Sequence, residues 1–350
     1  MLTKFIVASS LGLLLLVVFF YTSDFHLMAS AFKRAAYIYL LPGILIYMLS
    51  IWFRALRWKY LLVTTKNITS SRLYPVVVVG YMANNLLPFR LGELVRGYYL
   101  SKRENVSTVT GLSTIFVERI LDALALIFLI GITSIFIPLG DTVHGLSSLS
   151  KIPEPFLVFI FVAPFCTLFG VLIFIALFRK KAEKSLYLLN KFIPQKLHLK
   201  LIDLSEKLFD GLESLRSISM IMKVLILSVP IWICETFLFL FVALSLDLNT
   251  YFDGIISTFA ASILVTGITN IGSSIPLAPG GVGLFELIAR ETLVLMPHGT
   301  VERPDAAAFA TITHSCLLLS MIILGQIFLW LDGISLLSLS KINNQSSKTE

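Results

Sequence analysis

The chain has 350 residues, of which 57% are hydrophobic and 14% are charged, and its net charge is +7. Soluble domains carry about 25% charged residues, so this composition excludes an ordinary soluble protein and predicts a membrane protein. The positive charge does not indicate a nucleic-acid partner, because lysine and arginine gather in loops on one side of a membrane. The three cysteines stand singly in apolar segments, which predicts packing residues and no metal site.

Apolar runs along the chain predict about six full spans, because a hydrocarbon core of about 30 Å needs roughly 20 helical residues. The predicted spans lie near 5–22, 36–56, 107–137, 155–178, 223–245 and 305–334. The first run resembles a signal peptide, but the small residues at 29–31 lie too far beyond its end for cleavage. We therefore expect it to be retained as a span.

Two further apolar stretches predict hairpins that enter the membrane and return on the same side. Residues 74–88 are too short to cross comfortably, end at Pro88 and have basic segments on both flanks. Residues 252–297 are longer, but prolines and glycines interrupt them at 276–283. Broken helices at matching places in two halves point to a transporter binding site. The alternative is eight plain spans with kinks.

Basic residues orient the chain, because they remain on the cytoplasmic side of the membrane. Segments 54–72 and 90–103 and the connection 179–222 are rich in lysine and arginine, whereas the loop 138–153 has a single lysine. This distribution predicts cytoplasmic amino and carboxyl termini. It also predicts amphipathic helices against the inner leaflet in the 179–222 connection.

The predicted order is span, span, hairpin and span, followed by the same order again. The first hairpin opens inward and the second outward, which is an inverted-topology repeat. We expect pseudo-repeats at about 1–140 and 155–335 in a single integral membrane domain at 1–340, and a disordered tail at 341–350. The predicted fold class is all-α and polytopic, with two re-entrant broken-helix hairpins.

The two interruptions predict the ligand site. Non-helical backbone at membrane depth is tolerated only where it is buried in protein or lines a wet cavity. Each interruption precedes a helix whose free N–H groups and positive dipole end favour a phosphate. The candidate residues are Asn85, Pro88, Arg90, Gly92, Glu93 and Arg96 at the first break, and Pro279, Gly280, Gly281, Gly283 and Glu286 at the second. Tight helix packing is the alternative explanation for the glycines.

Ionisable residues in the middle of the span 107–137 are further candidates, because charge at this depth is costly and indicates function. Glu118 and Asp122 share a helix face. Arg119 has the spacing to bridge to Asp122. An ion-pair cluster that only joins helices is the alternative.

Further polar residues lie in the second half of the chain. Glu286 and Arg290 have the i, i+4 spacing of an ion pair after the second break. Glu235 and His314 stand alone in apolar spans. For Glu235 and for His314 we expect a helix-packing hydrogen bond rather than a proton relay.

Arg54, Arg57 and Trp58 lie at the inner end of the second predicted span. Tryptophan suits the depth of the lipid headgroups, and arginine pairs with lipid phosphate. An interfacial anchor and a substrate-recruiting site therefore stay open as equal alternatives.

Four motifs occur in order: Arg54-x-x-Arg57-Trp58, Asn85-x-x-Pro88-x-Arg90-x-Gly92-Glu93, Glu118-Arg119-x-x-Asp122 and Pro276-x-x-Pro279-Gly280-Gly281-x-Gly283-x-x-Glu286. Over about residues 5–335 they resemble the transmembrane region of lysylphosphatidylglycerol synthetases, a flippase-like family. The resemblance implies movement of an aminoacylated phospholipid between leaflets, with aminoacyl transfer left to a soluble carboxyl-terminal domain. That synthetase domain is not expected here. Stand-alone relatives are associated with glycolipid or polyprenyl-linked sugar pathways.

The leading hypothesis is a lipid translocator of the cytoplasmic membrane that carries an anionic phospholipid or a polyprenyl-phosphate-linked lipid. Arg90, Arg96 and the glycine-rich helix start would hold the phosphate. Glu93, Glu118, Asp122 and Glu286 would balance charge, bind an amine-bearing headgroup or carry coupling protons. The alternatives are an embedded transferase or phosphatase with Glu93 or Asp122 as base, and an accessory scaffold for a glycosyltransferase or lipid-modifying enzyme. The sequence has no P-loop, zinc spacing or nucleophile elbow, so no cofactor is expected.

Overall fold

The computed structural model describes residues 2–137, 151–178, 209–296 and 301–334, together with positions 140, 147 and 206. Within these residues the regular secondary structure is helical, which confirms the predicted all-α membrane fold. The helices are α1 (Leu2–Tyr21), α2 (Phe25–Arg34), α3 (Leu40–Leu62), α4 (Ser70–Leu86), α5 (Leu91–Glu104), α6 (Thr108–Thr133), α7 (Glu154–Leu177), α8 (Ile218–Ser245), α9 (Gly254–Gly272), α10 (Leu284–Val294) and α11 (Arg303–Leu331).

Most of the predicted spans are present as single long helices. In the described part of the chain, the stretches long and apolar enough to cross a membrane are Tyr37–Leu62, Glu154–Ile175, Ile218–Ser245, Gly254–Gly272 and Arg303–Leu331. The predicted span 107–137 corresponds to α6, which has 26 residues but carries charged residues in its middle. The first arm of the second predicted hairpin, α9, is thus itself long enough to reach across.

The amino-terminal segment bends sharply where the first predicted span ends. α1 and α2 meet at an angle of 87°, and the two together have the length and composition of one broken span or of a re-entrant loop. The side chain of Asp24 accepts hydrogen bonds from the backbone N–H groups of His26 and Leu27 at the start of α2. Because an aspartate in this position caps a new helix, the chain turns here into a second short helix, which the sequence analysis did not predict.

The first predicted hairpin is present as α4 and α5, which pack against each other around a break. Leu87, before Pro88, has extended backbone angles (φ −107°, ψ 143°), as steric clash with a following proline requires. Phe89 and Arg90 then adopt left-handed angles (φ 56° and 54°) before α5 begins. Two such residues in succession reverse the chain within a few positions.

Glycines allow both hairpins to close tightly. A Cβ atom on Gly92 would lie 2.3 Å from the backbone nitrogen of Asn84, so α5 can only return beside α4 with glycine there. In the second hairpin, α9 packs on α10 across a break in which Gly280, Gly281 and Gly283 have φ values of 61°, 75° and 85°. Glycine adopts these angles without the steric cost of a side chain.

The helices form two units with the same internal packing, α3–α6 and α8–α11. In each unit the first helix packs on the hairpin and the hairpin on the last helix, while the first arm of each hairpin also packs on the last helix of the other unit. α3 and α8 run in opposite directions, since Gly43 lies against Leu238 and Arg57 against Ser228. This arrangement is the inverted repeat expected from the charge pattern. Its limits at 1–140 and 155–335 stay a prediction.

Several predicted segments lie outside the described residues. These are the tail at 341–350 and most of the basic connection at 179–222, of which the structure describes position 206 and residues 209–222. Most of the loop 138–153 also falls there.

Candidate functional site

A cavity of about 290 Å³ with a mixed polar and apolar lining lies between the two breaks, where the two units meet. Its polar, glycine and aromatic lining comes from Tyr47, Arg54, Tyr81, Asn84, Asn85, Arg90, Arg119 and Asp122 in the first unit, Phe165 on α7, and Trp232, Glu235, Asn270, Ser273, Ser274, Gly280, Gly281, Phe285 and His314 in the second unit. The volume is at the lower limit of small-molecule sites, roughly 300–1,000 Å³. It therefore suits a headgroup, whereas acyl chains would have to stay in the membrane.

Asp122 on α6 is the centre of a buried ion-pair network. Its carboxylate lies 2.8 Å from Nη1 of Arg57 and 3.4 Å from Nη1 of Arg54, both on α3. Nη2 of Arg54 reaches Glu235 on α8 at 2.8 Å, and Asn270 on α9 donates to the same carboxylate at 3.1 Å. Buried charges of this kind cost several kcal/mol unless they are paired and hydrogen-bonded. The network therefore joins four helices from both units.

The network continues to a looser, more exposed end at the first break. Arg119 lies 3.8 Å from Asp122 and 3.6 Å from Glu93, and Arg90 lies 3.7 Å from Glu93. These separations exceed hydrogen-bond length. The side chains of Arg90, Glu93 and Arg119 are 34%, 26% and 27% exposed, against 6% for Asp122. Arg90 and Arg119 therefore retain hydrogen-bond donors for an entering ligand.

The charge balance of the network favours an anion. Four arginines (Arg54, Arg57, Arg90 and Arg119) face three carboxylates (Glu93, Asp122 and Glu235) along the connected pairs. One positive charge is left over in a region of low dielectric, where electrostatic attraction is strong. A phosphate group would neutralise it.

Aromatic side chains hold two of these arginines in place. The Arg54 guanidinium lies 4.6 Å from the ring centroid of Trp232 and 5.4 Å from that of Tyr81. Arg119 donates to the Tyr81 hydroxyl at 3.2 Å. Stacking of a guanidinium on an aromatic face stabilises it further. The cations are thus oriented before any ligand arrives.

Arg96 and Glu118 form a separate, closed pair away from the cavity. Nη1 of Arg96 lies 2.6 Å from Glu118, and the guanidinium lies 3.8 Å from the ring centroid of Trp58. Trp58 in turn donates its indole N–H to Thr114 at 2.9 Å. Arg96 is 3% and Glu118 1% exposed. The structure therefore places both residues between α5 and α6, where neither contacts a ligand in the cavity.

Glu286 caps the start of α10, where a phosphate was expected to bind. One carboxylate oxygen accepts the backbone N–H of Gly283 at 2.7 Å, as in a capping box. The other lies 2.7 Å from Nδ1 of His314, whose Nε2 lies 3.0 Å from the Gly280 carbonyl oxygen. The ring of His314 also stacks on Phe285 with centroids 4.1 Å apart. His314, rather than Glu286, faces the cavity.

The expected Glu286–Arg290 pair is wrong. Arg290 donates to the Phe19 carbonyl at 2.9 Å and to the hydroxyls of Thr22 and Ser23 at 2.9 Å and 2.8 Å, all at the end of α1. The last carbonyl groups of a helix lack partners within it and carry partial negative charge. Arg290 therefore donates to the end of α1 and does not pair with the Glu286 carboxylate one turn away.

The interfacial-anchor interpretation of Arg54, Arg57 and Trp58 is also wrong. They are 3%, 0% and 0% exposed, whereas an anchor must contact headgroups. Arg57 stands behind Arg54 and donates to Ser228. A substrate-recruiting role stays a prediction for Arg54 alone, because it lines the cavity.

The structure brings part of the predicted site together. The predicted residues that line the cavity are Arg54, Asn85, Arg90, Arg119, Asp122, Gly280 and Gly281. The two breaks touch there, since a Cβ atom on Gly280 would lie 3.2 Å from the Asn85 carbonyl oxygen. The predicted residues outside the lining are Arg57, Pro88, Gly92, Glu93, Arg96, Glu118, Pro279, Gly283 and Glu286.

Sequence reasoning missed the aromatic part of the lining. Tyr47, Tyr81 and Trp232 lie within apolar helices, where tyrosine and tryptophan do not stand out. Glu235 and His314 were assigned to packing, although an ionisable residue inside a span indicates function by default. Among the described residues there is no group of three histidine, cysteine or acidic side chains placed to hold a metal.

Comparison with known proteins gives one family and several relatives. The family model described as lysylphosphatidylglycerol synthase TM region matches residues 2–325. A UPF0104 membrane protein of Methanocaldococcus jannaschii is 31% identical over 211 residues, 58% of this chain and 75% of that protein. One from Methanothermobacter thermautotrophicus is 31% identical over 115 residues, 31% of this chain and 33% of its own. No solved structure matches the chain.

Proposed function

The chain belongs to the lysylphosphatidylglycerol synthase TM region family, and we propose that it moves a phospholipid or polyprenyl-linked lipid between the leaflets of the cytoplasmic membrane. The observation that supports this most is the charged cavity at the contact of two oppositely directed units. Ionisable groups within spans are costly and mark ion or substrate pathways. A site at the interface of inverted repeats is typical of alternating-access transporters.

The phosphate of the lipid binds to Arg90 and Arg119 in this proposal. Their pairs with Glu93 measure 3.7 Å and 3.6 Å, so a phosphate oxygen competes with long contacts and not with formed hydrogen bonds. Arg54, by contrast, is held at 2.8 Å by Glu235 and serves to position the site. A headgroup thus enters from the first break and stops above the buried pairs.

Glu93 and Glu235 give the cavity a second function in this proposal. Glu93 lies beside the phosphate-binding Arg90 and Arg119, and Glu235 lines the cavity beside Arg54. Both carboxylates provide partners for an amine on the headgroup. The site accordingly suits a headgroup with one phosphate, with or without a neighbouring ammonium. The acyl or polyprenyl chains remain outside, since the cavity measures only about 290 Å³.

A proteoliposome assay with fluorescent-headgroup lipids tests the proposal. We expect purified protein to speed exchange of an anionic lipid between leaflets, and Arg90→Ala to slow it at least about tenfold, as the loss of a charge-assisted contact implies. Lys102→Ala is the matched control, because Lys102 lies exposed on the same hairpin arm and does not line the cavity. Equal rates in protein-free and wild-type vesicles would contradict transport. A lipid converted chemically, detected by mass spectrometry, would favour an enzyme.

A further inference from the structure

The hydrogen bonds around His314 require a proton beyond that of a neutral imidazole. His314 lies between two acceptors, the Gly280 carbonyl oxygen 3.0 Å from Nε2 and the Glu286 carboxylate 2.7 Å from Nδ1. A carbonyl oxygen only accepts, so Nε2 must carry hydrogen. Nδ1 then donates to Glu286 as part of an imidazolium, or accepts from a protonated Glu286. In both cases the pair holds one dissociable proton.

Loss of this proton breaks one of the two contacts. A neutral imidazole has a single N–H, and a carboxylate ion has none. With hydrogen on Nε2, the Nδ1 lone pair faces Glu286; with hydrogen on Nδ1, the Nε2 lone pair faces Gly280. Two acceptors at hydrogen-bond distance repel each other and are costly when buried. The proton therefore determines whether α11 stays tied to α10 and to the second break.

The charged groups near the pair leave it without another counter-ion. On α10, Arg290 is turned to the end of α1 and to Glu291, which also pairs with Arg303. The described side chains of α1 are uncharged, α9 carries no charged residue, Arg72 of α4 pairs with Glu104, and Arg34 of α2 pairs with Asp305. Across the cavity stand Arg54, Arg57 and Arg119 with Asp122 and Glu235 on α3, α6 and α8, and Arg90 at the first break.

We propose that Glu286 and His314 form a proton-binding site that latches the second break, and that H⁺ is the coupling ion of the lipid movement proposed above, on which this second statement rests. In the protonated state Gly280 is held between His314 and Asn85. The proton leaves into the cavity, which His314 lines. The contact of His314 with Gly280 or with Glu286 then opens, and the glycine-rich break is free to move.

Hydrogen–deuterium exchange of the whole protein in nanodiscs tests the latch without any transport. We expect protection of the amides at 280–283, corrected for the intrinsic pH dependence of exchange, to fall at least about tenfold between about pH 5 and about pH 8. The first break at 86–91 is the internal control. Its backbone hydrogen bonds, from Leu87 to the Ala83 carbonyl and from Leu91 to the Pro88 carbonyl, involve no titratable side chain, so its protection should not change.

The Glu286→Gln variant tests whether the pH dependence of protection comes from the proton held by Glu286 and His314. A glutamine side chain accepts from the Gly283 N–H and donates to Nδ1 of a neutral His314, whose Nε2–H still reaches Gly280, so every contact survives with no proton to lose. Protection at 280–283 should stay high at every pH. Wild-type protection that does not vary with pH, or a Glu286→Gln variant that follows the wild-type curve, would overturn the latch.

A transport measurement separates proton binding at the latch from the coupling of protons to lipid movement. In proteoliposomes, an imposed pH gradient should change the rate of lipid exchange by wild type and leave that of Glu286→Gln unchanged. If the exchange protection varies as expected while no lipid moves, the proton site stands and the proposed function fails. If lipid moves with equal rates with and without the gradient, transport stands and proton coupling is refuted.

Discussion

The two units differ in how the second arm of each hairpin is tied to the last helix. In the first unit Arg96 on α5 pairs with Glu118 on α6 at 2.6 Å. In the second unit Glu286 on α10 pairs with His314 on α11 at 2.7 Å. Both pairs are buried, but arginine is not deprotonated in proteins, whereas the contacts of His314 depend, in the proposal above, on one dissociable proton. On that proposal, the first hairpin is permanently fixed and the second is fixed only when the proton is bound.

The difference teaches that equivalent helices of a repeat can take different parts in one mechanism. In the proposed mechanism the first hairpin provides Arg90 for the phosphate on a rigid support. The second hairpin provides a glycine-rich break that contacts His314. Alternating access requires one body that moves against another, and we expect this motion in the second hairpin.

The largest expected effect on stability comes from breaking the Arg96–Glu118 pair. Glu118→Gln leaves the Arg96 guanidinium buried without a counter-ion, and we expect the free energy of unfolding to fall by about 3–5 kcal/mol. Unfolding in mixed micelles measures this. Replacing both residues, Arg96→Met with Glu118→Leu, should recover most of the loss, because no charge is then buried. A Glu118→Gln variant as stable as wild type would show that the pair is not a fixed support.

A smaller loss of stability is expected from widening the first hairpin. Gly92→Ala places a Cβ atom 2.3 Å from the Asn84 nitrogen, so α5 must move away from α4, at a cost of about 1–3 kcal/mol. Gly131→Ala on α6 is the control, since a Cβ atom there meets nothing within 4 Å and alanine favours helix by up to about 1 kcal/mol. Thermal unfolding of both variants compares them. Similar shifts in the two would contradict the tight return at Gly92.

The smallest effect is expected at the proton-dependent pair. Glu286→Gln keeps all three hydrogen bonds of the latch, so the free energy of unfolding should change by less than about 1 kcal/mol. Glu286→Ala removes the cap on Gly283 and the partner of His314, and should cost about 1–3 kcal/mol. The two variants are distinguished by chemical unfolding at one pH. If glutamine destabilises as much as alanine, the neutral form of the pair does not maintain these contacts.

Sequence reasoning predicted the parts of the fold that depend on local properties. Hydrophobic length predicted the spans, and Pro88 with the glycines at 280–283 predicted the positions of the breaks. The orientation of the spans relative to the cytoplasm, which the basic residues indicate, stays a prediction. These features act within one or two turns of helix, or through the membrane itself, so they are visible in a single sequence. The inverted packing of α3 against α8 followed from the same assignments.

The pairing of charges was less predictable, because it depends on which face each helix turns to its neighbours. Helical spacing suggested Arg290 as the partner of Glu286 and gave no partner for Glu118, whereas the structure pairs them with His314 and Arg96 from adjacent helices. In α4, α6 and α8 the hydrophobic residues are spread nearly uniformly around the helix, so the pattern does not define a facing side. The lining residues Tyr81 and Trp232 were hidden for the same reason.

The hydrogen bonds of Arg290 give α1 a mechanical role. They attach the end of α1 to α10, while Gly12 of α1 lies against Ala278 and the Val282 carbonyl within the second break. Because of these contacts, a shift of the second break would move the amino-terminal helix with it. A spin label on α1 would therefore report such a shift as a change in distance to the first unit.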